Sequence, residues 1–276
     1  MDWRPQSKPI AAVEEAEAAA RELRKEWDLG HGPVGDLTAL LEERQIHVLL
    51  LDAPATFDGL PALGTDSQGQ LCLAAIALRQ GLPGGRQRLS AAHELGHLML
   101  MPEKKVNEEK AAHRFAAAFL APAESVRNDT GERRARVSLP ELEMLKHKYG
   151  MSMAAVLYRL ADLGIITPSY LKEWFMDFSR CGWRKQEPSP LPAEEPRWLE
   201  RTVWHALGEG LIDEAQAQKF LGKAMPSAKA APEHWRGIFA KAPLAVRREW
   251  LRHEAERLKE HYETDAETRE WMEADL

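Results

Sequence analysis

The stretch Arg88-Leu89-Ser90-Ala91-Ala92-His93-Glu94-Leu95-Gly96-His97-Leu98-Met99-Leu100 constrains this chain more than any other. It is a run of helix formers that carries His-Glu-x-x-His. Residues four apart on a helix sit one turn above one another, so His93 and His97 face the same way. Together they can offer two imidazole nitrogens to one metal ion. Glu94 lies about 100° round the helix from His93 and about 60° from His97. It can reach a water beside such an ion without being a ligand. Two imidazole ligands with a carboxylate base beside them are the arrangement of a zinc hydrolase. The flanking residues weigh against a surface helix that merely happens to hold two histidines. Leu95, Leu98 and Met99 give the helix an apolar side that must be buried, and Gly96 leaves room for a close neighbour beside His97. A buried helix presenting two histidines and a glutamate needs something to satisfy them, and a divalent metal does so.

Composition limits the alternatives. The 276 residues are 44% hydrophobic and 29% charged, ordinary for a globular protein and enough for one large or two to three small domains. The net charge of −6 excludes a chain that binds nucleic acid by overall electrostatics. Cys72 and Cys181 are far apart, which makes a disulfide scaffold unexpected and the reducing cytoplasm the expected compartment. The opening Met-Asp-Trp-Arg-Pro has no apolar core behind it, and no stretch approaches 18 apolar residues. Neither a signal peptide nor a membrane span is expected.

Ahead of the motif, Val13, Ala16, Ala20 and Leu23 follow helical spacing, and Gly30 and Gly32 close that helix. A second helix follows Pro33 through Leu37, Leu40 and Leu41. Gln45 to Leu51 reads as a strand, with His47 a packed rather than functional histidine. The glycines and proline of 57–69 read as a loop, Leu71 to Ala77 as another strand, and Gly81, Pro83, Gly84 and Gly85 as a turn. An edge strand beside the motif could pair with an extended peptide backbone.

After Pro102 a helix runs from Asn107, its N-cap, to Leu120, with an apolar face of Ala112, Phe115, Ala116 and Phe119. A site of this kind needs a third protein ligand. Glu103, Glu108 and Glu109 are the acidic candidates, and helix geometry does not choose between Glu108 and Glu109. Each could equally be a carboxylate favouring the helix dipole. His113 is a further candidate, as a ligand or as a partner of one. His113, Arg114 and Tyr149 are candidate oxyanion stabilisers.

Residues 86–122 resemble the ImmA/IrrE family of zinc-dependent metallopeptidases. The likeness is carried by Arg86-Gln87-Arg88-Leu89-Ser90-Ala91-Ala92-His93-Glu94-Leu95-Gly96-His97, then by Glu109-Lys110-Ala111-Ala112-His113-Arg114-Phe115-Ala116-Ala117-Ala118-Phe119-Leu120-Ala121-Pro122. In layout it extends over residues 10–222. The resemblance implies that His93, His97 and Glu109 hold one zinc ion and that Glu94 is the catalytic glutamate. The chain departs from the family pattern at His113, where Asn is usual, and at Ala121, where Met is usual. The implied fold is α+β and mostly helical: a small zincin-like metallopeptidase unit, with a few-stranded sheet packed on the motif helix, followed by helical modules. The implied substrate is a protein, a helix-turn-helix repressor or antitoxin, cleaved to derepress genes. The alternative is a non-proteolytic metal-binding transcriptional regulator or an interaction scaffold.

On this reading residues 1–130 form the metallopeptidase domain. Residues 131–180 form a helix-turn-helix-like segment: Ser138 and Glu141 make a capping box, Gly150 separates two helices, and Thr167-Pro168 opens a third. Arg133, Arg134, Arg136, Lys146, Lys148 and Arg159 make it locally basic. Direct DNA binding is possible for such a segment, but helical pairs like this are more often packing modules. Residues 181–224 contain a proline-rich linker to 197, a helix from Trp198 and another capped by Asp213. Residues 225–276 contain a second linker and a charged amphipathic tail suited to helix–helix contact.

Overall fold

The structure, a computed structural model, describes residues 7–69, 71–184 and 186–222. The expected tail over 225–276 lies outside the described residues. The chain falls into two compact units, Met1–Thr202 and Val203–Leu276.

The first unit begins with β1 (Lys8–Ile10), α1 (Glu15–Glu26), α2 (Leu37–Glu43), β2 (Ile46–Leu51), β3 (Gly59–Thr65) and β4 (Leu71–Arg79). Then come α3 (Gly84–Met99), which carries the motif, β5 (Leu100–Pro102), α4 (Glu108–Leu120) and α5 (Ala123–Thr130). It continues with α6 (Leu139–Tyr149), α7 (Met153–Asp162) and α8 (Pro168–Cys181). The architecture is α+β with small sheets. One sheet has the order β2-β4-β3, with β2 parallel and β3 antiparallel to β4; a second pairs β1 with β5 in parallel. Helices α9 (Trp198–Gly208) and α10 (Glu214–Leu221) follow, and α10 carries a capping box of Asp213 and Gln216. No described helix is long and apolar enough to cross a membrane.

The helix starts lie where local chemistry puts them. Asp36, Asn107, Ser138, Ser152 and Thr167 each accept a backbone N–H of the first turn, satisfying a donor that the helix cannot. Gly150 ends α6 in the left-handed conformation, φ 63°, a backbone state that costs glycine least. His47 is packed, its ring 3.9 Å from that of Trp198.

Three expectations change. Residues 59–65 are a strand, not a loop. At the edge of the sheet, Pro61 and two glycines are tolerated because one side of the ladder needs no partner. Gly84 and Gly85 lie inside the first turn of α3 rather than in the turn before it.

The third change concerns the proline-rich segment, which is irregular but not a free tether. The Gly84 N–H donates to the Leu191 carbonyl at 3.2 Å, and a side chain at Gly84 would collide with the Pro192 carbonyl. Glu187 accepts from Lys146 Nζ at 3.0 Å and from the Met153 N–H at 2.9 Å. Glu194 pairs with the buried Arg88 and accepts from the Leu37 and Thr38 N–H groups at 3.1 and 2.8 Å. Residues 186–197 therefore form a strap bound to the starts of α2, α3 and α7.

Arg159 of α7 is buried, with its guanidinium bidentate on Glu17 of α1 at 2.6 and 2.8 Å. Burial alone would raise the Glu17 carboxyl, but Arg159 and Arg114 outweigh it and hold it below its ordinary value of 4.5. A carboxyl lowered by folding contributes stability that is present above the unfolded value and lost as pH falls through the folded one. In Glu17→Gln the unfolding free energy should fall less steeply with pH below 4.5 than in the parent chain. Denaturant titrations at stepped pH test this, and equal slopes would remove Glu17 from the acid response.

Candidate metal centre

The metal helix α3 packs on the sheet with one face and on α4 with another. Gly96 sets the second contact: a Cβ there would lie 3.2 Å from the Ala112 Cα and from Phe115 Cδ1. Glycine lets α4 approach this closely without pushing a neighbour aside. The approach carries the first turn of α4 over the two histidines. His93 Nε2 lies 3.1 Å from His97 Nε2 and 3.2 Å from Glu109 Oε2, and His97 Nε2 lies 3.6 Å from Glu109 Oε1. One donor atom from each of the three residues can be chosen so that all lie within 4.8 Å of one another. Zinc–ligand bonds of about 2.0–2.2 Å in a tetrahedron require donors roughly 3.3 Å apart, so the donor set fits a small divalent ion.

The two neighbouring acids part company. Glu108 reaches the other nitrogen of His97, with Oε1 3.1 Å from Nδ1, in the manner of a carboxylate that orients a ligand imidazole. Glu103 stays in the turn after β5, its N–H bonded to the Ile10 carbonyl at 2.9 Å. Among the described residues, His93, His97 and Glu109 are the group able to hold a metal ion.

Glu94 is 7% exposed and outside that donor group. The first residue of β3 passes directly against it: a Cβ on Gly59 would meet Glu94 Cγ and Oε1 at 2.9 Å. Arg86, in the first turn of α3, holds the preceding Asp58 with Nη2 2.5 Å from Oδ2, fixing where β3 begins. Burial pushes the Glu94 carboxyl up to about 7, helped by Glu109 and Asp58 and opposed by His97. Burial, with the neighbouring His113 and His97, lowers His93 to about 4, which keeps it neutral and able to donate a lone pair at neutral pH. A cation held by the neighbouring donors would favour the ionised Glu94.

The three candidate oxyanion groups separate as well. The Tyr149 hydroxyl is buried and donates to Asp129 Oδ2 at 2.6 Å, and Arg114 is tied to Asp162 at 2.8 Å. His113 alone of the three lies at the centre, its ring 4.2 Å from that of His93. Sequence reasoning did not find the approach of Gly59 to Glu94. The glycine-rich run at 57–69 was its only signal.

A His-Glu-x-x-His helix under a small mixed sheet, crossed by a helix that brings in a glutamate, is the arrangement of a metallopeptidase-type hydrolase. Residues 44–161 match the model of the peptidase family described as IrrE N-terminal-like domain. Over these residues the chain carries a domain of the ImmA/IrrE type. Eight solved chains also match. One, a Mycobacterium tuberculosis transcriptional regulator, is 18% identical, with a TM-score of 0.36 over 53% of this chain and 47% of that one. This chain thus spans about half the length of that regulator. A comparison with curated proteins found no match.

Proposed function

We propose that the protein is a zinc-dependent endopeptidase that cleaves a DNA-binding repressor or antitoxin and so releases transcription. The observation that carries this is the convergence of His93, His97 and Glu109 at donor spacing while Glu94 stays beside them, uncommitted. One zinc ion held there would supply Lewis acidity toward a peptide carbonyl and a water. Glu94 takes the proton of the attacking water and delivers it to the leaving amine. Its burial against Gly59 keeps bulk water from competing for that proton. β3 is an open sheet edge that starts at Glu94, so a substrate added as an extended strand along it would be led to the base.

The basic residues of 131–180 do not favour DNA as the direct ligand. Arg134 pairs with Glu141, Lys146 with Glu187, Lys148 with Asp129 and Arg159 with Glu17. Their charge is paired within the protein, which leaves Arg133 and Arg136 as the members of the set without an ion pair among the described residues. These helices suit packing and substrate capture better than phosphate binding.

Two measurements test the reading in sequence. Metal analysis of the purified protein should give one zinc per chain. Co-expression with a repressor encoded nearby should then yield fragments on a blot. A metal-free protein, or fragments that do not depend on the metal, would overturn it.

A further inference from the structure

We propose that His113 is the positioning residue for His93, holding the ligand ring by aromatic packing in place of a hydrogen bond. The inference rests on the metal reading of His93, His97 and Glu109. A ligand imidazole is ordinarily oriented through its second ring nitrogen, which donates to a carboxylate, a carbonyl or a water. His97 follows that rule, with Glu108 at its Nδ1. His93 does not. Its Nε2 is turned to His97 and Glu109, while its Nδ1 is buried with no hydrogen-bond partner among the described residues. What fixes its ring plane is contact. His97 meets it edge-on, with centroids 4.8 Å apart and planes at 76°. His113 covers it from α4, with centroids 4.2 Å apart and planes at 51°.

His113 lies one turn after Glu109, so the same face of α4 supplies both the third donor and the surface that steadies the first. Its own ring is outside the donor group and exposed. Its removal therefore leaves the core intact and frees His93 to rotate about its side-chain torsions.

The test uses the full chain as wild type, His113→Ala and His113→Phe. Zinc affinity is read by competition with a chromophoric chelator, the visible spectrum is recorded with Co²⁺ in the site, and thermal unfolding of the metal-free proteins controls for folding. His113→Ala should weaken zinc by about 10–100-fold, with a shifted Co²⁺ spectrum and unchanged metal-free unfolding. His113→Phe, which keeps a ring and removes every nitrogen, should recover most of that loss. Wild-type zinc affinity and spectrum in His113→Ala would overturn the proposal. So would a loss in His113→Phe as large as in His113→Ala, which would make His113 a ligand. Failure of the wild type itself to bind zinc would sink the metal reading beneath it, a result distinct from either.

Discussion

Glu94→Gln is expected to retain zinc and fold while losing peptide hydrolysis by about 10²–10⁴-fold, the range that a positioned proton carrier contributes. The substitution keeps the volume of a side chain that is 7% exposed and in contact range of Gly59, so packing is preserved. It leaves untouched the three residues at donor spacing. What it removes is the ability to accept and return a proton beside the metal. Metal content by mass spectrometry and fragment yield from a co-expressed substrate, compared with the parent chain, separate the two properties. Retained zinc with lost cleavage is the expected pair. Undiminished cleavage would move the general base to another residue, and undiminished biological effect without cleavage would favour a non-proteolytic regulator.

The second large effect is expected far from the donors, at Glu194→Ala, with a loss of about 3–5 kcal/mol of folding stability, as for breaking a buried ion pair from one side. Arg88 and Glu194 have side chains 7% and 12% exposed and pair directly. Arg88 also donates to the carbonyls of Val34, Gly35 and Gly150, which hold it in place and leave its charge without a counterion once Glu194 is gone. The same carboxylate closes the N-terminus of α2 through Leu37 and Thr38, so its loss also exposes two helix donors. Urea denaturation of the variant and the parent checks the figure. A change below about 1 kcal/mol would place the pair in the class of weak surface bridges. A chain cut before the strap should be destabilised in the same way, although it would still contain all of residues 44–161 that match the family.

The contrast between these two sites shows what could be read in advance. Glu94 and its flanking histidines are legible because their relation is one turn of a single helix, and helix geometry is local. The same holds for the caps at Asn107, Ser138, Ser152 and Asp213, each of which bonds to a backbone N–H three residues away. By contrast, β3 was hidden because Gly59, Pro61 and Gly64 have the composition of a loop. Only its pairing with β4 makes it a strand. The strap was hidden because prolines and charges read as solvent-exposed, while Glu194 meets its partner 106 residues away in the chain.

The sequence by itself therefore determined most of the helices, several of their caps, and two imidazoles and a carboxylate on one turn. The tertiary structure separates Glu108 from Glu109. Both sit in the first turn of α4, and only the close crossing of that helix over α3 at Gly96 sends one to His97 Nδ1 and the other to the paired Nε2 atoms. A helix fixes directions around its own axis, but which of those directions meets a neighbour depends on packing between segments that the chain order leaves free.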